Sequence, residues 1–520
     1  MIDKRGAAAG DGRTDRRDMM AGLLALSATG TVLGGGAARA EMTATGSWRR
    51  AETPRFVVQG VVGEDVLRDY AAKLEDFDMV LRFMHRLPVD AAPPRKLDVY
   101  LVRGTPALRR AMPGADETLR GYYTTSAGGI ACVAIVGRAK EVENDDVMLH
   151  EYVHHFMKQY FNYAYAPWLV EGYAEYFMTT AFNGDSIVVG KFNTNRASWL
   201  MQSRWMPLDR LLTEAPRVDE PTADTYYPLA WLLTHYLMSD PARYAQLQAY
   251  MKAVGEGTPS VKAMEAATGR SLADLQKDLH DYTHTNLPVQ VFTRKRARSV
   301  EVTVTTMPAS ADDLLLETVR MISPPGDLAA RKAFAEDVAK RAARYPDDGL
   351  AQRALARARL QAEDFAAADG VIDRRLAAAP EDVEALELKA QILMETGDAD
   401  PARKAALYKQ AQGVLGRAFK IDGARYQILL AYARSRSLSP GYPSDNVMEG
   451  LLLANELAPQ VSEVTFSAVQ ALAMRGDYRR AVALLKPLAN DPHDGSDAAR
   501  QLLARLEVEA GRSGPQKAAG

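Results

Sequence analysis

The chain has a single cysteine, Cys132, in 520 residues, so no intramolecular disulfide framework holds it together. That cysteine lies in an apolar stretch and reads as a small buried side chain rather than a nucleophile. An excess of charge of either sign is also missing. Sixty-four Lys and Arg stand against 66 Asp and Glu, giving a net charge of −2 with no sustained basic stripe. Nucleic acid is thereby excluded as an expected partner. The best basic run, Arg294-Lys-Arg-Ala-Arg298, reads as a solvated linker. Beyond the N-terminal segment no apolar run is long enough to cross a bilayer, so no membrane span is expected in the mature chain. Histidine is scarce as well, and three of its eight occurrences are His150, His154 and His155.

What is present is ordinary in bulk. An apolar fraction of 47% and a charged fraction of 25% are those of a folded globular protein, and 520 residues exceed one core, which predicts two or three domains. Residues 1–40 read as an export signal. Arg16-Arg17 precede the short apolar run Met19-Met-Ala-Gly-Leu-Leu-Ala-Leu, and Ala38-Arg39-Ala40 offers an A-x-A cleavage site that leaves a mature chain from Glu41. The paired arginines resemble a twin-arginine signal, which predicts a periplasmic or secreted protein.

The informative segment is His150-Glu151-Tyr-Val-His154. On a helix His150 and His154 lie one turn apart on the same face, so both imidazoles can grip one metal ion. Glu151 projects beside that face, where a carboxylate can take a proton from a metal-bound water. One helix later, Trp168-Leu-Val-Glu171-Gly-Tyr-Ala-Glu175 places Glu171 to supply a third protein ligand and leave a fourth position open. Zn²⁺, one per chain, is the expected cofactor. His155 is not at i+4 from His150 and is expected against solvent, substrate or a neighbouring loop.

These residues carry a resemblance. Met148-Leu-His150-Glu151-Tyr-Val-His154 followed by Pro167-Trp168-Leu-Val-Glu171-Gly-Tyr-Ala-Glu175-Tyr176 resembles the gluzincin metallopeptidases, most of all their peptidase-MA-like branch. The resemblance implies that His150, His154 and Glu171 are zinc ligands and Glu151 the general base. It also implies that Glu175 accepts the free ring N–H of a ligand histidine. Asp224-Thr-Tyr226-Tyr227-Pro-Leu-Ala-Trp231 resembles a later helix start of the same family, and by it Tyr227 would donate to the oxyanion. Sixteen residues separate His154 from Glu171, two fewer than in the related zinc aminopeptidases, and their upstream exopeptidase signature is absent. Aminopeptidase activity is not implied. Relatives place an edge strand before the zinc helix, on which an extended peptide can pair.

The surrounding pattern predicts a zincin-like α+β metallopeptidase domain over residues 41–285. Strands are expected at Arg55–Gly60 and Lys96–Val102, a long helix over 64–86, a hairpin over 121–136 with Ser126-Ala-Gly-Gly at its turn, and mainly helix from an Asn144-Asp145-Asp146 cap to residue 284. Residues 286–308 read as a linker with one short strand. Residues 309–512 read as an all-α solenoid of three or four tetratricopeptide-like hairpins, because Tyr345-Pro-Asp-Asp and Ala379-Pro-Glu-Asp lie 34 residues apart. An insertion over residues 399–445 breaks that register, and residues 513–520 form a disordered tail. The leading expectation is an exported zinc peptidase, an endopeptidase or oligopeptidase acting on a peptide or protein substrate. Two alternatives stand beside it: an interaction protein whose repeats bind a partner and whose zincin domain is metal-stabilised but not catalytic, and a zinc hydrolase of a non-peptide amide or ester.

Overall fold

A computed structural model describes residues 45–117, 119–136, 147–161, 163–192, 194–214, 223–293, 300–491 and 496–512. The export signal, the Asn144-Asp145-Asp146 cap, the run at residues 294–298 and the tail lie outside the described residues. Among the described residues there are nine strands: β1 (Thr45–Glu52), β2 (Phe56–Gly60), β3 (Leu97–Val102), β4 (Gly121–Ser126), β5 (Gly129–Ile135), β6 (Ala181–Asn183), β7 (Ser186–Val189), β8 (Gln290–Thr293) and β9 (Thr303–Pro308). Six of them form a mixed sheet in the order β4-β5-β3-β2-β1-β9. β2, β3 and β5 are parallel, whereas β4 turns back on β5 and β1 pairs antiparallel with β2 and β9.

β5 is apolar without alternation because both faces of the sheet are covered. Cys132 and Ala134 pack with helix Glu64–Met84 and helix Val147–Tyr160, while Ala131, Val133 and Ile135 pack with helices Gly104–Ala111 and Ser310–Arg320. Helix Glu64–Met84 repeats apolar residues at three- and four-residue spacing (Leu67, Tyr70, Ala71, Leu74, Phe77, Leu81) and buries that stripe.

The strands expected near residues 55 and 96, the long first helix and the hairpin turn all occur where the sequence places them. Three features differ. The stretch read as mainly helical holds the hairpin β6–β7, whose three- and four-residue strands are too short for alternation to register. Residues 286–308 hold two strands rather than one: β9 is the expected short strand and forms an edge of the main sheet, while β8, which was not expected, completes a second sheet, β6-β7-β8. Helix Ser310–Arg320, at the start of the expected repeat region, instead covers one face of the main sheet through Ala311, Leu315 and Val319.

From Leu328 to Arg512 the described residues are a succession of helices. Each packs on the next, and alternate helices Gly349–Gln361, Val383–Ala399, Tyr426–Ser435 and Ser462–Met474 also touch, so this is a helical-repeat region. The 34-residue period has a local cause: Asp348 and Asp382, which end the two matching motifs, accept backbone N–H groups as helix N-caps. The expected insertion is filled by helices Lys404–Ile421 and Tyr426–Ser435, both members of the stack. Their unequal lengths, 18 and 10 residues, hide the repeat from the sequence. Gln159, on the helix that carries the histidines, donates to Leu457 O at 3.5 Å and accepts from the Gln460 amide at 2.7 Å, so the repeats back that helix. Among the described residues no helix is long and apolar enough to cross a membrane.

Candidate metal centre

Helix Val147–Tyr160 carries the HExxH residues. Met148, Leu149, Tyr152, Val153 and Phe156 bury one side of it, which turns His150 and His154 to the other. A buried charge cluster fixes its rotation. The Tyr152 hydroxyl donates to Asp78 at 2.6 Å, and Asp78 also meets Arg55 at 2.8 Å and Arg82 at 2.7 Å, all four side chains being buried. Glu75 completes the cluster by accepting from Arg55 at 2.6 Å.

Helix Pro167–Met178 crosses in front. Pro167 occupies the first turn, where a missing N–H costs nothing, and Trp168 is fully buried with its indole donating to the Tyr250 hydroxyl at 2.8 Å. The helix is apolar nearly all round because it is buried nearly all round. Gly172 lets it approach helix Tyr226–Met238: a Cβ there would lie 2.4 Å from the Thr234 hydroxyl and closer still to the Ala230 backbone.

This crossing brings together His150, His154 and Glu171, whose ligand atoms all lie within 4.8 Å of one another. His150 Nε2 is 3.1 Å from Glu171 Oε2, and His154 Nε2 is 3.8 Å from the same oxygen. Donors about 2.1 Å from a tetrahedral centre stand about 3.4 Å apart, so the observed separations bracket what zinc asks for, and two nitrogens with one carboxylate oxygen suit its chemistry. Glu175, buried one turn beyond Glu171, has Oε1 3.7 Å from His150 Nδ1. The imidazoles of His150 and His154 meet edge-on at 4.7 Å.

The electrostatics follow from burial among carboxylates. Burial opposes the charged form of His150, but the hydrogen bond and charge of Glu171, with Glu175 and Glu151 behind, push its pKa up to about 9. Burial pushes Glu151 up to about 7; His150 opposes the rise, Glu171 adds to it and a backbone hydrogen bond from Tyr123 offsets part of it. Cys132 lies buried within reach of the Glu151 charge, and burial drives its thiol well up, which accords with a packing role.

His155 faces inward rather than towards solvent. It is buried, its Nδ1 lies 3.3 Å from the Tyr123 hydroxyl on β4, and burial pulls its pKa down to about 3. Tyr123 was not foreseen from sequence; a tyrosine in an edge strand carries no motif, and only the β4 contact with the histidine helix reveals it. Tyr227 sits half-buried in the first turn of helix Tyr226–Met238 with its ring 5.7 Å from that of Tyr226. Its neighbour Tyr226 is the fully buried member of the pair, and its hydroxyl is pushed up by burial first and by the charge of Glu171 second.

No family model matches the chain, and no curated protein is similar to it. Among solved structures, the chain is similar to a tetratricopeptide-repeat protein of Thermus thermophilus, at 19% identity and a TM-score of 0.33, over 38% of this chain and 100% of that one.

Proposed function

We propose that this chain is a zinc-dependent peptidase with a zincin-like α+β domain, exported through its N-terminal signal and acting on peptide bonds. The observation that carries the reading is the convergence of His150, His154 and Glu171 within 4.8 Å, with Glu151 adjacent on the same helix. His150, His154 and Glu171 would hold the metal. Zinc bound there supplies Lewis-acid polarisation of water and of the scissile carbonyl.

The remaining work falls to this chain's own groups. Glu151 takes the proton of the attacking water on its carboxylate and returns it to the leaving amine nitrogen. Glu175 faces His150 Nδ1 and holds that ring with Nε2 towards Glu171. The Asp78–Tyr152 bond keeps the helix from rotating about its axis. Glu151→Gln tests the reading: hydrolysis of an unfolded protein substrate should fall by about two orders of magnitude or more while metal content and folding stay unchanged. Full activity in that variant would remove Glu151 from the mechanism.

A further inference from the structure

The helical repeats carry a groove of about 690 Å³ along the alternate helices that touch one another, and one of its lining residues, Ala127, belongs not to the repeats but to the β4–β5 turn. That turn is firmly held. The Tyr426 hydroxyl donates to Ser126 O at 2.7 Å, the Thr125 hydroxyl to Gln460 O at 3.2 Å and the Ser126 hydroxyl to Ile322 O at 2.6 Å. The other end of the same strand stands at the candidate metal centre, where Tyr123 meets both Glu151 and His155.

β4 is an edge of the main sheet, and among the described residues no strand pairs with its outer side. The two-residue turn Ala127–Gly128 makes Ser126 and Gly129 a hydrogen-bonded pair, so Thr124 and Tyr122 also bond inward to β5, as Arg120 does through the Ile135 N–H at 2.7 Å. The backbone groups of Tyr123 and Thr125 therefore point outward, and the Tyr123 backbone already hydrogen-bonds Glu151. From Tyr123 to Ala127 is roughly 14 Å of extended chain, about four residues. A polypeptide following that edge from the metal centre would arrive at Ala127, which lines the groove.

The groove's lining suits such a chain. Its arginines are paired within the repeats, Arg434 with Glu395 at 2.6 Å and Arg331 with Glu363 at 3.4 Å, so it offers no net charge to select an acidic or a basic ligand. Leu430, Met474 and the amide of Gln470 line it, a mixture that contacts apolar side chains and peptide groups alike. Ser467, Gln470 and Met474 share one face of their helix, and Gln470 and Met474 are exposed.

We infer that the repeat groove is an extended substrate subsite, occupied by an unfolded segment of the same polypeptide whose scissile bond lies at the metal centre. This inference rests on the peptidase reading. Linking two binding sites through one chain predicts selective capture of long unfolded substrates over short peptides.

The test uses the full chain carrying Glu151→Gln, with fluorescein-labelled reduced, carboxymethylated lactalbumin as the long probe and a hexapeptide from it as the short one. Two groove variants are added separately, Gln470→Ala with Met474→Ala, and the obstructing Ser467→Trp. Each is expected to weaken binding of the long probe by about tenfold or more while leaving the hexapeptide within about twofold. With Glu151 intact, hexapeptide hydrolysis should be unaltered and hydrolysis of the long probe should lose kcat/KM through KM. Unaltered binding and cleavage of the long probe in both groove variants would overturn the inference and leave the peptidase reading standing. A chain with Glu151 intact that cleaves neither probe would overturn the peptidase reading, and the inference with it.

Discussion

A Cβ on Gly172 would stand 2.3 Å from the carbonyl oxygen of Ala230, closer than any side chain can come to a backbone atom. The residue after Glu171 is therefore glycine for a reason that lies on another helix. Gly172→Ala brings a better helix former, worth about 1 kcal/mol in isolation, but the clash is with backbone and cannot be relieved by a rotamer. The variant is expected to lose about 2 kcal/mol or more of stability by denaturant unfolding and to bind metal at least tenfold more weakly, because Glu171 moves with its helix. Equal stability and equal affinity would mean that the two helices are free to separate.

Tyr152 offers a second handle on the same site. Its hydroxyl serves a buried aspartate that already holds two arginines. Tyr152→Phe should cost about 1–3 kcal/mol in chemical denaturation, with metal still bound at saturating concentration. An unchanged midpoint would show that the arginines alone satisfy Asp78.

Glu175 separates positioning from coordination. Glu175→Ala should weaken zinc affinity by about 10–100-fold in a competition titration, and Glu175→Gln, which keeps an acceptor oxygen towards His150 Nδ1, should recover part of that loss. Identical affinities in all three proteins would remove Glu175 from the site.

Acid should destabilise the protein through a histidine outside the candidate ligand set. His235 is buried between the Tyr282 hydroxyl at 3.0 Å and Gly190 O at 3.1 Å, and burial pulls its pKa down to about 4 from an ordinary 6.5. The folded state favours the neutral ring, so its contribution is present above pH 6.5 and is lost progressively as pH falls towards 4. The full loss is about 3 kcal/mol. Unfolding free energies measured between pH 7 and pH 4 should show a shallower fall in His235→Gln than in wild type; parallel curves would assign the acid sensitivity elsewhere.

The clustering of His150, His154 and Glu171 was legible in the sequence because helical spacing alone puts His150 and His154 on one face, and a dense second motif points to Glu171. What the sequence could not show is how the two helices meet. Gly172 and Ala230 are far apart in the chain, and their contact has no local signature. The same limit applies to β1 and β9: a short strand was readable near residue 303, but its pairing with β1, which joins Glu52 to Thr303, has no local signature. Tyr123 escaped notice because its role depends on His155 and Glu151 lying beside β4. The hairpin turn itself was readable, since glycines between two strand-like runs mark a turn, but its place in the lining of the repeat groove was not.

The central claim is a three-ligand zinc site, and metal content tests it most directly. Elemental analysis of the purified protein, with Glu171→Ala prepared beside it, should find about one zinc per chain in wild type and a large loss in the variant, both proteins remaining folded. Folded wild-type protein without zinc after reconstitution, or equal zinc in the two proteins, would contradict it.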